Sequence, residues 1–213
     1  MDGVVFDSEV NWQKADIAAD LKFETGFDES VRALFCGMDE KTVRATLRKM
    51  KPDLDVDAYR EYIIGSVRQA EESSGVTLKA GILELIAILD GMKIKTALAT
   101  SSRRERVEKL FKKAGLDPYK LFGAVLTCND VTRAKPDPEI FLKAAAAIGV
   151  DPKDAIVLED SPNGLTAAMR GGFTPIMIID LIPPPPDMVE DGLIYCDDVY
   201  TLIDELNKGE GLQ

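Results

Sequence analysis

The chain has 213 residues, 46% hydrophobic and 30% charged, with a formal net charge of −11 and no histidine. This length can bury a sizeable core and suggests one domain, or one domain with an insert. The negative charge disfavours nucleic acid and anionic membranes as partners, because a phosphate backbone would be repelled over long range. The absence of imidazole excludes histidine triads and zinc-histidine sites.

Three cysteines, Cys36, Cys128 and Cys196, lie far apart. Their odd number argues against a disulfide framework or a zinc cluster, so reduced, semi-buried thiols are expected. No stretch approaches the roughly 18 apolar residues of a membrane span, and no basic region followed by an apolar run opens the chain. A cytoplasmic monomer is the expectation.

In chain order, Met1-Asp2-Gly3-Val4-Val5-Phe6-Asp7-Ser8 comes first. It reads as the second half of an aspartate-x-aspartate-glycine signature whose first aspartate would precede Met1. From about Val10 to Ser74 the pattern is helical and strongly charged. Trp12, Ala15, Ala19 and Phe23 recur every three or four residues, followed by Val43, Leu47 and Met50 and then Tyr59, Ile63 and Val67. Breaks at Gly26-Phe27-Asp28, Gly37-Met38-Asp39 and Lys51-Pro52-Asp53 divide the region into about four helices.

From Thr77 onward, amphipathic helices alternate with short apolar runs, the pattern of a parallel sheet covered on both faces. Strands are expected at Ile94–Ala99, Ala124–Thr127, Ala155–Leu158 and Pro175–Ile179, with an edge strand at Leu193–Tyr195. Helices are expected at Ile82–Asp90, Glu105–Ala114, Pro138–Ile148, Pro162–Arg170 and Val199–Asn207. The prolines from Pro183 to Pro186 suggest a stiff surface loop.

The residues with chemical potential follow the strands, where open α/β sheets bind ligands and helix N-termini present free N–H groups. Thr100-Ser101-Ser102 follows one strand and either caps a helix or turns its hydroxyls to an anion. Lys135 lies in Arg133-Ala134-Lys135-Pro136-Asp137-Pro138, where two prolines stiffen the loop around it. Glu159-Asp160-Ser161-Pro162-Asn163-Gly164 follows a third strand, with Ser161 as N-cap and Pro162 at the first helical position. Adjacent carboxylates at a buried strand end repel one another, and a divalent cation would relieve them.

Asp2-Gly3-Val4 with Asp7-Ser8-Glu9, Thr100-Ser101, Lys135-Pro136-Asp137-Pro138 and Glu159-Asp160-Ser161-Pro162-Asn163-Gly164 together resemble the haloacid dehalogenase superfamily of phosphohydrolases. The resemblance covers essentially the whole chain. It implies a three-layer Rossmann-like α/β core, residues 1–9 and 77–213, with an inserted all-helical cap at 10–76. The subgroup it points to contains phosphoglycolate phosphatase, sugar-phosphate phosphatases and beta-phosphoglucomutase.

By this resemblance an aspartate attacks the phosphoryl group and water hydrolyses the aspartyl-phosphate, splitting one difficult displacement into two. Asp2 would be the general acid and base and offer its backbone carbonyl to Mg2+; Asp160 would bind the metal, and Glu159 would bind it directly or through water. Thr100 and Ser101 would hold the transferring oxygens, with Lys135 stabilising phosphate and nucleophile. Glu40, Lys41 and Arg44 are candidates for substrate contact from the cap, whose loop at Gly37–Glu40 would close over the core.

The departure is the nucleophile, which would sit before Met1 on a first core strand that this chain does not contain. The expectation is that translation begins upstream, or that the chain was cut. The other possibility is a nonenzymatic relative that binds a phosphorylated ligand. Four or five buried aliphatic side chains at about 1.5–3 kcal/mol each rival the whole stability of a domain, which favours the upstream start. A mutase would call for a histidine near Trp12 and an arginine near Glu40, which the chain lacks. The favoured function is therefore a Mg2+-dependent phosphatase of a sugar phosphate or similar small metabolite, inactive without its upstream aspartate.

Overall fold

A computed structural model describes residues 1–73 and 75–208 of the chain. The charged first third forms four helices: α1 (Glu9–Phe23), α2 (Glu29–Leu34), α3 (Glu40–Met50) and α4 (Val56–Ser73). Asp28 and Asp39 cap α2 and α3 by accepting from the backbone N–H groups of Val31, and of Lys41 and Thr42. The apolar positions spaced three and four apart meet in one cluster, with Ala15 and Ala19 of α1 and Val43 and Leu47 of α3 against Tyr59, Ile63 and Val67 of α4.

The remainder alternates strands and helices in the expected order. Its elements are α5 (Ile82–Gly91), β1 (Ala97–Ala99), α6 (Arg104–Lys113), α7 (Pro118–Leu121), β2 (Ala124–Leu126), α8 (Glu139–Ile148), β3 (Ile156–Glu159), α9 (Pro162–Arg170), β4 (Thr174–Ile178), α10 (Pro186–Glu190), β5 (Ile194–Cys196) and α11 (Val199–Lys208). Helices α5, α6 and α11 pack with Leu98, Val125, Ile176 and Ile178 in one cluster. Helices α8 and α9 pack with Val157 and Phe173 in another. Two apolar faces on short strands account for their continuous apolar runs.

Several boundaries differ from the sequence expectation. The first strand begins at Ala97, not Ile94, because the Ile94 N–H bonds back to the Leu89 carbonyl and closes the end of α5. The second stops at Leu126, since Thr127 caps a 3-10 turn by donating to Asp130. Ala155 bonds back to Pro152, so β3 starts one residue late and extends to Glu159. The proline run is not all loop: Pro186 opens α10, where its missing N–H is no loss.

All strand pairs are parallel, but they form two separate sheets, β1-β2 and β3-β4-β5. Leu98 lies opposite Val125 in the first, and Leu158 opposite Ile176 in the second. Each of β1 and β3 is therefore hydrogen-bonded on one side only. The N-terminal segment meets the carboxyl ends of both: Asp2 accepts from Ser102 beyond β1, and Gly3 abuts Asp160 beyond β3. The short β5 lies at the edge beside β4.

Candidate active site

A cavity of about 900 Å³ lies between the strand ends and α1–α4. Its floor brings together Asp2, Thr100, Ser101, Lys135, Glu159 and Asp160, residues up to 158 positions apart in sequence. Trp12, Asp16, Glu40, Arg44 and Arg60 form the roof. Of the three cap candidates, Glu40 and Arg44 line this cavity, whereas Lys41 is exposed and does not.

Asp2 is held on every side. Ser8 donates to its Oδ1, Ser102 donates to Oδ2 at 3.0 Å, and Arg106 of α6 reaches both oxygens at 2.7 and 2.8 Å. Burial by itself would raise the Asp2 pKa, but the Arg106 guanidinium overrides it and holds the carboxyl below the ordinary carboxylate range. The other edge of Arg106 grips Glu71 of α4 at 2.7 and 3.0 Å, linking the helical segment to Asp2. The sequence reading missed Arg106, which stands in an ordinary charged helix pattern.

Lys135 is buried against Glu159, and the two side chains are 5% and 7% exposed. The second Glu159 oxygen accepts from the Ser161 hydroxyl at 2.9 Å and from the Ser161 N–H at 3.3 Å. Burial opposes ionisation of Glu159, yet Lys135 lowers its pKa below the ordinary value. The Asp160 carboxylate has no hydrogen bond or ion pair among the described residues, although its N–H donates to Glu159 at 3.3 Å, and burial together with the adjacent Glu159 pushes its pKa up to about 7. Gly3 permits this close approach. Its φ is +68°, and a Cβ there would fall 2.0 Å from Asp160 Oδ2.

The hydroxyls after β1 do not cap α6, whose N-cap is Arg103 without a side-chain bond. Thr100 Oγ1 instead accepts from the Ser102 N–H at 3.1 Å, and Ser101 Oγ donates to the Gly37 carbonyl at 3.0 Å. Asn163 donates to the neighbouring Cys36 carbonyl at 2.8 Å, so the loop between α2 and α3 rests on the floor. Gly37 has φ +75°, and a Cβ there would lie 2.3 Å from Ser161 Oγ. Cys36 and Cys128 are half-buried and Cys196 buried, all as free thiols.

A divalent cation would suit part of this floor. The half-buried Asp160 carboxylate is unpaired and the Asp2 carbonyl accepts no hydrogen bond among the described residues. No set of three His, Cys, Asp or Glu side chains converges on one ion position there. A metal such as Mg2+, which keeps several waters and takes one or two carboxylates, tolerates so sparse a set. Burial and the charges of Asp2 and Asp160 raise Glu9 well above the usual carboxylate pKa, which reflects the local excess of negative charge.

The family model described as haloacid dehalogenase-like hydrolase matches residues 1–178. The chain belongs to this family. It is a phosphohydrolase of the haloacid dehalogenase-like type, and its phosphatase role agrees with its curated relatives. Over 173 residues it is 30% identical to the validoxylamine A 7'-phosphate phosphatase of Streptomyces hygroscopicus subsp. limoneus, covering 81% of this chain and 80% of that protein. It is 29% identical to a phosphorylated carbohydrates phosphatase of Thermotoga maritima, over 81% of this chain and 79% of the relative. In fold it is similar to a hydrolase from Pseudomonas syringae, with a TM-score of 0.82 and 22% identity over 97% and 95% of the two chains. Among the described residues, no helix of this haloacid dehalogenase-like hydrolase is long and apolar enough to cross a membrane.

Proposed function

We propose that the protein is a Mg2+-dependent phosphatase of a small phosphorylated metabolite, acting through an aspartyl-phosphate whose aspartate occupies the position before Met1. The observation that carries this reading is the convergence of a restrained Asp2, the Lys135–Glu159 pair and an unpaired Asp160 on one cavity floor. The one-sided pairing of β1 and β3, with Asp2 and Gly3 at their ends, supports a preceding strand that enters between them and ends at the nucleophile. Residues 10–76 act as the cap over that floor.

In this mechanism the preceding aspartate attacks phosphorus while Thr100 and the Ser101 N–H hold the transferring oxygens. Lys135, aimed by Glu159, offsets the charge that builds between phosphate and nucleophile. Asp160 and the Asp2 carbonyl would hold Mg2+, with Glu159 binding it directly or through water. When bound, the metal neutralises charge between the two anions that must meet. Asp2 protonates the leaving alkoxide and later takes a proton from the hydrolytic water. Arg106 opposes protonation of Asp2, so the arrangement described here is ready for the hydrolytic half of the cycle.

The test is phosphate release by protein extended upstream with an apolar strand ending in aspartate, assayed with and without Mg2+ on phosphorylated metabolites. The reading expects turnover that needs both the metal and the added aspartate and falls about 10²–10⁴-fold in Asp2→Asn. Equal turnover by the 213-residue chain, or a full rate in Asp2→Asn, would sink it. Transfer of phosphate within a sugar phosphate at a rate above its release would reverse the choice in favour of a mutase.

A further inference from the structure

The roof cations are already neutralised by carboxylates. Arg60 is 7% exposed and binds Glu40 through two nitrogens, at 3.2 and 2.8 Å, with Asp16 at 3.8 Å. Arg44 is held by Glu40, Asp57 and Glu61 at 2.8, 2.7 and 2.9 Å. Arg32 donates to Asp20 and to the Phe27 carbonyl, each at 3.0 Å. Around the whole cavity, carboxylates outnumber arginines and lysines. The lining cations without such partners among the described residues, Arg68 and Arg103, are solvent-exposed, where salt screens them.

A second phosphate or a carboxylate on the leaving group would therefore meet Asp16 and Glu40 with no free buried cation among the described residues to receive it. Like charges at a few ångströms in a partly dry site repel strongly. A hydroxyl is different, since it donates to carboxylate oxygens and accepts from guanidinium N–H groups. The Asp16 carboxylate makes no hydrogen bond among the described residues, and burial pushes its pKa up to about 6. Trp12, 6.0 Å from the Arg60 guanidinium, adds apolar surface beside these polar groups.

We propose that this roof selects a neutral, hydroxyl-bearing leaving group, a sugar or polyol with a single phosphate, and that Asp16 and Glu40 reject substrates with a second anionic group. The inference rests on the phosphatase reading and names the substrate class for the same cavity. It follows from charge pairing in α1, α3 and α4 and does not use the floor residues.

The experiment is calorimetric titration of the 213-residue chain with Mg2+ present. The probes are inorganic phosphate, glucitol 6-phosphate, fructose 1,6-bisphosphate and 2-phosphoglycolate. Glucitol 6-phosphate is expected to bind about 10-fold or more tightly than the bisphosphate or phosphoglycolate. Glu40→Gln and Asp16→Asn, each checked for native circular dichroism, should narrow that gap by weakening the polyol phosphate and strengthening the bisphosphate. Equal or tighter binding of the bisphosphate by the parent chain would overturn the inference, as would an unchanged preference in both folded variants. The phosphatase reading fails separately, if inorganic phosphate binding is absent or survives Lys135→Ala unchanged while the polyol preference persists.

Discussion

The floor and the roof of the cavity use charge in opposite ways. On the floor, the Asp160 carboxylate has no partner among the described residues and Gly3 is pressed against it, leaving a local excess of negative charge. On the roof, each buried cation is paired, and Arg60 and Arg44 share Glu40. An unbalanced cluster is expected where a cation and a reacting phosphate must be bound, and a balanced one where a neutral group is recognised by hydrogen bonds. The two regions meet at Arg106, which touches Asp2 on one side and Glu71 on the other.

The difference predicts how substitutions should separate. The largest effect belongs to the floor: Lys135→Ala leaves Glu159 buried without its cation and should destabilise the protein by about 3–5 kcal/mol, measured by urea unfolding. A change under about 1 kcal/mol would mean that this pair is not held in a buried setting. Next comes Gly3→Ala, which adds a Cβ at a positive φ in the space of Asp160 Oδ2. It should cost about 1–3 kcal/mol and abolish stabilisation by Mg2+; a variant as stable and as responsive as the parent would break the floor account.

On the roof, the sign of the pH dependence is the test. The Asp16 pKa is raised from 3.8 to about 6, so the folded state binds more protons than the unfolded one between those values. Stability from this group is then lost as pH rises from about 4 to 6, and Asp16→Asn should be more stable than the parent at pH 7, by at most about 3 kcal/mol. Stability that rises with pH through this window because of Asp16 would contradict the assignment. The smallest effect should come from Lys41→Ala, an exposed side chain outside the cavity, within about 0.5 kcal/mol and without effect on ligand binding.

The floor was legible in the sequence, while the roof was legible only in part, through Glu40 and Arg44. Thr100 and Asp160 each follow a strand directly and Lys135 lies in the proline-stiffened loop after β2, so strand periodicity and local turn chemistry were enough to locate them. Asp16, Glu40 and Arg60 sit on three different helices, and only packing of α1 and α3 against α4 brings them together. Arg106 escaped for the same reason, since its two partners come from the first residues and from the end of α4. The strand starts were read too long where helix-closing turns, as at Ile94, used backbone groups that a ladder would need. A proline run read as loop supplied the first turn of α10 because proline needs no N–H partner there.

The account turns on where the phosphoryl group goes during turnover. Acid-quenched protein, extended upstream to place an aspartate before Met1 and incubated with substrate and Mg2+, can be digested and analysed by mass spectrometry for a phosphorylated residue. The account predicts a phosphoryl group on that aspartate, enriched in Asp2→Asn because the hydrolytic water loses its base. Phosphate release with no protein-bound phosphoryl group, or with the group on a residue outside the cavity floor, would contradict it.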